Sequence, residues 1–305
     1  MNRPSRSLLA QLFLSPDEPR LRAAWRILLQ TILLLLVLSA ITFVQFVTAG
    51  LTGYSLTSVQ PLSLADLIPT AIAMTLSVWL ARRLLDRRSF ASLGFRIDRR
   101  TLPDLVVGFL IPGVMMAVIY AISAAAGWLR FDGWGWESTS ASKVILGLIG
   151  GLLAFVVVGY QEELLSRGYH LQNIRDGMHT GWAVFLSALL FALMHLGNPN
   201  VTWVSAMLGL IAAGVFLAYG WVRTRQLWLS IGVHIGWNFF EGSVFGFPVS
   251  GITVQGLVRH TATGPVALTG GPFGPEAGLI LVPALAVGFA LIWLYTRGRG
   301  MPPRD

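Results

Sequence analysis

Long apolar stretches separated by short polar segments dominate the chain. Eight stretches contain few charged side chains, and several of them are long enough to cross a hydrocarbon core of about 30 Å as a helix. We place the spans at residues 27–49, 64–85, 104–127, 143–165, 181–197, 202–222, 227–247 and 277–296. The pattern predicts an all-α fold, a polytopic bundle of about eight transmembrane helices.

The composition agrees with this interpretation and limits the chemistry. Of 305 residues, 54% are hydrophobic and 12% are charged, which leaves too little polar surface for a water-soluble globule of this size. The chain contains no cysteine. Disulfides, thiolate catalysis and cysteine-bound metals are therefore excluded, and any reaction must use carboxylate, imidazole, amide or hydroxyl groups.

The arginines predict the orientation of the bundle. They cluster before the first span, between the second and third, and after the fourth, sixth and eighth, whereas residues 50–63 contain none. Because basic loops stay in the cytoplasm, both termini are predicted to be cytoplasmic. The net charge of +8 then reflects contact with the lipid bilayer and does not indicate nucleic acid as a partner.

The chain is predicted to form one membrane domain. Residues 1–26 are interpreted as a cytoplasmic tail with an interfacial helix, residues 27–299 as a single transmembrane domain, and residues 300–305 as a tail. The segment RFDGWGWE at residues 130–137 is typical of an outer membrane interface. Residues 248–275, rich in Gly, Pro and Thr, predict a long external loop.

Ionisable residues inside the spans are candidates for function, because a charge at the centre of a membrane helix costs about 2.5–3.5 kcal/mol on insertion scales. In the C-terminal half, the main strongly polar side chains in the spans are Glu162, Glu163, His195, His234, Asn238 and Glu241. Their side chains come from several spans. A shared polar cavity is one interpretation, and interhelical hydrogen bonding is the other.

The two adjacent glutamates are predicted to play different parts. Glu163 and Arg167 are four residues apart and share a helix face, which favours an ion pair. Glu162 is offset by about 100° and has no local counter-charge, so it is the candidate general base. In the alternative interpretation both glutamates lie at the cytoplasmic end of the span and extend into the headgroups.

The segments FALMH (191–195) and HIGWN (234–238) each place two residues four apart. In HIGWN, His234 and Asn238 share a helix face, so they can donate hydrogen bonds to one small group, as an oxyanion hole requires. Glu241 falls near the same face, where it either lines the cavity or reaches the outer interface.

These two segments and EELLSR (162–167) resemble the FxxxH, HxxxN and EExxxR motifs of the CPBP family, which comprises type-II CAAX prenyl proteases and bacterial Abi-like proteins. The motifs occur in the family's order, within a predicted catalytic core at residues 143–247. The resemblance implies an intramembrane endopeptidase, with a membrane-anchored or hydrophobic peptide as substrate. It implies water activation by Glu162 and His195, oxyanion stabilisation by His234 and Asn238, and support by Glu163, Arg167 and Phe191. Ser166 departs from the family pattern, in which an aromatic residue is common, and puts a packing contact in doubt.

No cofactor is predicted, but zinc stays open. Glu162, His195 and His234 could bind zinc with water as the fourth ligand. The chain lacks an HExxH pairing and these ligands come from three helices, so we favour metal-independent catalysis.

Two other function classes remain: a proton-coupled transporter, with the same residues as a relay, and a non-catalytic immunity or scaffold protein. The preference for arginine, with Lys143 the only lysine, favours a bacterial cytoplasmic membrane.

The predicted boundaries conflict with a shared cavity. Glu162 lies near the cytoplasmic end of span 143–165, whereas His195 lies near the opposite end of span 181–197. Straight helices with these bounds would hold the two side chains apart. We therefore expect either a break at HLGNPN (195–200) or a boundary error of about one turn.

Overall fold

A computed structural model describes residues 7–16, 18, 20–52 and 62–299 of the chain. The α-helices are α1 (Leu8–Phe13), α2 (Ala23–Thr52), α3 (Leu64–Leu84), α4 (Thr101–Ala125), α5 (Gly135–Ser138), α6 (Ala141–Glu163), α7 (Leu171–Arg175), α8 (Thr180–Met194), α9 (Ile211–Thr224), α10 (Trp228–Asn238), α11 (Val266–Thr269) and α12 (Leu281–Thr296). Wider π-helical segments at Leu164–His170, Ser205–Leu210 and Phe239–Val244, and short 3-10 turns at Phe90–Leu93, Gly271–Phe273 and Pro275–Ala277, complete the helical structure.

The predicted transmembrane helix bundle is confirmed. Five helical stretches among the described residues are long and apolar enough to cross a membrane, and α8 and α12 are shorter apolar helices. The number of eight spans, the cytoplasmic location of the termini and the domain bounds stay predictions. Of the predicted tails, residues 1–6, 17, 19 and 300–305 lie outside the described residues. Helix α1 lies within the N-terminal tail and exposes its leucines.

An antiparallel two-stranded ribbon is the exception to the all-α prediction. Strand β1 (Leu129–Trp134) pairs with β2 (Val258–Ala262), with a bulge between Phe131 and Gly133. The ribbon therefore joins the predicted outer-interface segment to the predicted external loop. That loop is ordered in part by β2 and α11. Local spacing does not predict this pairing because its strands are about 130 residues apart.

Helix α10 lies at the centre of the bundle. It packs against α4, α6 and α9, and its ten residues from Leu229 to Asn238 are all buried. Small residues permit the close approach to α4: a Cβ on Gly236 would lie 2.1 Å from the Phe109 carbonyl oxygen, and one on Gly108 would lie 2.5 Å from that of Leu229. Such glycine contacts let two membrane helices touch along their backbones.

The arginine-rich ends of several helices meet in one ionic network. Asp86, after α3, accepts hydrogen bonds from Arg26 of α2 at 2.7 Å and from Arg82 of α3 at 2.9 Å. Asp176, after α7, pairs with Arg20 at 2.9 Å and with Arg88 at 3.3 Å. The network thus joins the basic ends of α2, α3 and α7 on one side of the bundle.

Candidate active site

A cavity of about 300 Å³ lies between α3, α6, α8, α9, α10 and the turn before α12. The sequence-predicted residues that line it are Glu162, Phe191, His195, His234 and Asn238. Two others, Glu163 and Arg167, are fully buried behind the wall of the cavity. The fold therefore brings all three motifs to one place.

The fourth predicted span ends too early, and this error explains the conflict in depth. The helix does not stop at residue 165 but continues from Ala141 to Arg175. Glu162 therefore lies thirteen residues before the end of this helix, about 20 Å along its axis. His195 caps α8, whose 15 residues cover about 22 Å. Because a short turn joins the two antiparallel helices, Glu162 and His195 lie at matching depths.

Glu162 faces both imidazoles. Its Oε2 atom lies 3.7 Å from Nε2 of His195 and 3.7 Å from Nε2 of His234, and its side chain is 19% exposed. These separations are too long for direct hydrogen bonds. A water oxygen about 2.8 Å from two such atoms fits this spacing, so a water molecule can bridge Glu162 to either imidazole.

The side chain of Glu163 points away from the cavity and holds Arg167 and His234 in place. Its Oε1 atom accepts hydrogen bonds from Arg167 at 2.8 Å and from Nδ1 of His234 at 2.9 Å. Arg167 also donates to the Gly214 carbonyl at 2.8 Å. The ion pair predicted between Glu163 and Arg167 is present, whereas the contact with His234 was missed because the two residues are far apart in sequence.

Phe191 contacts both Arg167 and His195. The guanidinium of Arg167 lies 4.6 Å from the centroid of the Phe191 ring, a cation–π contact. The Phe191 carbonyl lies 2.8 Å from Nδ1 of His195. A carbonyl only accepts hydrogen bonds, so Nδ1 carries the proton and Nε2 of neutral His195 presents its lone pair toward Glu162.

The orientation of His234 follows from the same reasoning. Nδ1 donates to the carboxylate of Glu163, so neutral His234 also presents the Nε2 lone pair to the cavity. Only the doubly protonated ring donates from Nε2. Asn238 lies one turn further along α10, lines the same cavity, and has an amide that can donate in any state of the histidine.

Local helix geometry positions the catalytic candidates. Two of the three π-helical segments begin directly after motif residues, one after Glu163 and one after Asn238. π-Helical turns are frequent at functional sites. Gly159 brings α6 close to α10, since a Cβ there would lie 2.8 Å from Cγ1 of Ile235 and 3.6 Å from Cβ of His234. One helical turn of α6 therefore sets the distance between Glu162 and His234.

Other cavity residues were missed at the sequence level. Trp237, Asn198, Ser250 and Glu276 line the same cavity. Trp237 lies inside HIGWN and Asn198 lies three residues after the end of FALMH, so proximity to the motifs was an available signal. Ser250 and Glu276 carry no such signal, because they lie in the predicted external loop and at the next span.

Glu241, whose position was left open, neither lines the cavity nor reaches the outer interface. Its side chain is fully buried. The carboxyl of Glu276 and the indole of Trp237 are its polar neighbours. It therefore lies behind the cavity wall.

The donors of the cavity bear on the zinc question. A carboxylate oxygen of Glu162 faces Nε2 of His195 and Nε2 of His234, the three atoms that would bind a zinc ion there. Tetrahedral ligands at about 2.0–2.1 Å lie about 3.4 Å apart, somewhat closer than the 3.7 Å found here. No group of three or more His, Asp or Glu with metal-binding geometry occurs in the part of the chain that the structure describes.

Comparison with known families identifies the segment that contains these motifs. Residues 143–240 match the family model described as type II CAAX prenyl endopeptidase Rce1-like. This segment, 98 of the 305 residues, is similar to that family. It includes Glu162, His195, His234 and Asn238, which supports the assignment to the CPBP group of CAAX-protease-like proteins.

Comparison with curated proteins bears on the cellular location of the chain. The chain is similar to peptidoglycan glycosyltransferase RodA of Mycobacterium bovis, with 25% identity over 255 residues. RodA of two Mycobacterium tuberculosis strains matches equally. The match covers 73% of this chain and 53% of RodA, so the chain spans about half the length of these relatives. The apolar helices, the match to the endopeptidase family and this similarity together support an integral membrane location.

Proposed function

We propose that this protein is an intramembrane endopeptidase that hydrolyses a peptide bond in a membrane-anchored or hydrophobic peptide. The observation that carries the proposal is the convergence of Glu162 with the Nε2 atoms of His195 and His234 in one cavity. These residues come from three helices and lie within the segment that matches a prenyl endopeptidase family.

In the proposed reaction, Glu162 accepts a proton from water while the water oxygen attacks the carbonyl carbon of the scissile bond. His195 orients this water by accepting a hydrogen bond at Nε2. Glu162 then returns the proton to the amide nitrogen, so that the C–N bond breaks and the amine leaves. A correctly placed general base contributes about 10²–10⁴-fold to such a reaction.

The oxyanion that forms at the carbonyl oxygen needs hydrogen-bond donors. Asn238 supplies an amide N–H, and His234 supplies Nε2–H when its ring is doubly protonated. Glu163 keeps His234 in place through Nδ1, and Arg167 in turn balances the charge of Glu163. The supporting pair therefore acts on the reaction through the orientation of His234.

We favour direct action of Glu162 on water over a zinc mechanism. A zinc ion on Glu162, His195 and His234 would use Glu162 as a ligand. Glu163 is already bound to Arg167 and His234. Neither carboxylate of EELLSR would then be left to accept the proton from water, a task that zinc peptidases with an HExxH motif give to a separate glutamate.

We do not extend the glycosyltransferase activity of RodA to this chain. The chain spans about half of RodA, and the cavity residues Glu162, His195, His234 and Asn238 fall in the segment that matches the endopeptidase family. The similarity to RodA supports the membrane location, whereas the match to the endopeptidase family supports the reaction type.

The decisive experiment compares cells that contain the native protein with cells that contain Glu162→Gln. New N-termini of membrane proteins are mapped by mass spectrometry, and the peptides found are then assayed with purified protein in liposomes. We expect cleavage to fall by about 10²–10⁴-fold, with little change in thermal stability. Glu137→Gln is the matched control, since this exposed residue accepts a hydrogen bond from the Trp134 amide that glutamine can also accept.

Unchanged cleavage by Glu162→Gln would disprove the proposed reaction. The metal question is settled on the same preparation by removing metals with a chelator and measuring bound zinc by mass spectrometry. Full activity at a zinc content far below one ion per chain supports direct catalysis. Loss of activity that zinc restores would establish the alternative.

A further inference from the structure

The cavity contains a carboxylate that the proposed reaction does not use. Glu276 lies in the turn Pro275–Ala277 before α12, outside the segment that matches the family model. Its side chain is almost fully buried, and it lines the same cavity as Glu162. The match to the family model therefore does not cover Glu276.

Three hydrogen bonds hold the carboxylate of Glu276 in a fixed position. Its Oε1 atom accepts from Nε1 of Trp237 at 2.9 Å, and its Oε2 atom accepts from the Ser250 amide at 3.1 Å and the Ser250 hydroxyl at 2.7 Å. Trp237 follows His234 by three residues, about 4.5 Å along the helix axis. Glu276 is thus anchored about one helical turn from the proposed reaction centre.

A second carboxyl lies directly behind the first. Glu241 is fully buried, and its oxygens make no hydrogen bond of normal geometry, although Glu276 and Trp237 are beside it. Two neighbouring carboxyls repel each other when both are charged, so such a pair keeps one proton or attracts a cation.

The absence of a counter-ion separates this pair from other buried acids. Glu163 pairs with Arg167 at 2.8 Å, Asp86 with Arg26 at 2.7 Å, and Asp104 with Arg299 at 2.8 Å. No ion pair with lysine, arginine or histidine joins Glu241 or Glu276 within the described ranges of the chain. A buried charge without a partner is costly, and the cavity is the open side from which a partner can enter.

We propose that Glu276, with Glu241 behind it, forms a subsite that binds a cationic side chain of the peptide substrate, lysine or arginine. The inference rests on the proposed function in one respect, that the cavity binds a peptide. An extended peptide advances about 3.4 Å per residue, so the cationic residue lies within about two residues of the scissile bond. The competing explanation is that Glu276 only ties Ser250 to Trp237.

The test measures binding and does not depend on cleavage. Fluorescein-labelled hydrophobic octapeptides are made in pairs, with lysine or neutral Nε-acetyl-lysine at each position in turn. Their dissociation constants for the Glu162→Gln protein are measured by fluorescence anisotropy in detergent. We expect the lysine peptide of the best pair to bind at least about tenfold more tightly, as a charge-assisted hydrogen bond allows.

Substitutions then test whether Glu276 and Glu241 cause the lysine preference. In Glu162→Gln/Glu276→Gln we expect the lysine preference to fall below about threefold, whereas Glu162→Gln/Glu137→Gln keeps it. Glu241→Gln leaves the three hydrogen bonds of Glu276 intact, and we expect it to weaken the preference about threefold. A purely structural role of Glu276 predicts no change in the ratio, and a ratio within one variant is insensitive to partial unfolding.

Three outcomes would overturn the subsite: no binding of any peptide, equal binding of both members of every pair, or a lysine preference that survives Glu276→Gln. The same peptides are incubated with the native protein to monitor cleavage. A glutamate-dependent lysine preference without any cleavage would contradict the proposed hydrolysis and leave the subsite standing. Cleavage without a lysine preference would contradict the subsite and leave the proposed hydrolysis standing.

Discussion

Buried acids occupy two regions of this molecule, and their surroundings differ in charge. At the basic end of the bundle, Asp86 is held between Arg26 and Arg82 at 2.7 and 2.9 Å. In the cavity, the ionic partners of Glu162 within 4 Å are two histidines. The hydrogen bonds that Glu276 accepts from the described residues come from neutral groups.

This difference separates carboxylates that stabilise the fold from carboxylates that are available for a reaction or for binding. Where arginines surround a buried carboxylate, its charge is neutralised and its position fixed, which joins α2 to α3. Where they are absent, the carboxylate stays available to a proton, a water molecule or a ligand. Because an uncompensated charge costs stability in a low-dielectric interior, we expect the two regions to respond differently to substitution.

The largest effect on stability is expected at the basic end. Asp86→Asn removes the common partner of Arg26 and Arg82, both buried, and should lower the free energy of unfolding by about 3–5 kcal/mol. Activity per folded molecule should stay within about twofold of the native value, since Asp86 does not line the cavity. Thermal unfolding in detergent and the cleavage assay measure the two quantities.

Asp66→Asn is the control for this substitution, because Asp66 is an exposed aspartate in the first turn of α3, the helix that precedes Asp86. It should change stability by less than about 1 kcal/mol. Equal stability of Asp86→Asn and Asp66→Asn would show that the network has no structural role.

The second prediction shifts the cavity without removing a charge. In Gly159→Ala, the new Cβ would lie 2.8 Å from Cγ1 of Ile235 and 3.2 Å from the Ile235 amide nitrogen, so α10 must move away from α6. We expect kcat to fall by about 10²-fold, as a displacement of about 1 Å produces. The free energy of unfolding should decrease by about 1–3 kcal/mol.

Gly150→Ala on the same helix provides the comparison, since nothing lies within 4 Å of a Cβ at that position. The loss of helical glycine there should be neutral or stabilise by up to about 1 kcal/mol, with kcat unchanged. If both alanine variants kept native kcat, contact between α6 and α10 would not control the spacing of Glu162 and His234.

The smallest effect concerns a titratable group outside both regions. Burial lowers the pKa of His260, which lies in β2 with its ring 4.5 Å from that of Phe247. The unfolded ribbon then binds a proton more readily than the folded one. The contribution to stability is present above the ordinary histidine pKa of about 6.5 and is lost as the pH falls through the lowered value.

We therefore expect amide hydrogen exchange in β2, corrected for its intrinsic rate, to become faster as the pH is lowered from about 7.5 to about 5.5, a range that includes the ordinary histidine pKa. In His260→Phe this acceleration should disappear, because an aromatic ring is kept beside Phe247 and the titrating group is gone. The Asp86 network should show no such change in either protein. Retention of the full pH dependence in His260→Phe would assign it to another group.

The cores of most predicted spans could be read from the sequence, because each long apolar stretch must satisfy its own backbone hydrogen bonds inside a membrane. The ion pair of Glu163 with Arg167 could also be predicted, since a spacing of four residues on a helix brings two side chains together. The motif residues could be named, although their catalytic roles stay proposals that the substitutions above address.

Only the tertiary structure decided how these parts meet. Continuation of the fourth helix to Arg175 depends on the π-helical segment and its packing, which composition does not reveal. The ribbon of β1 and β2, the contact of Glu163 with His234, and the place of Glu276 in the cavity join residues separated by 39 or more positions. Local periodicity determines single helices, whereas contacts of this range depend on how whole helices pack.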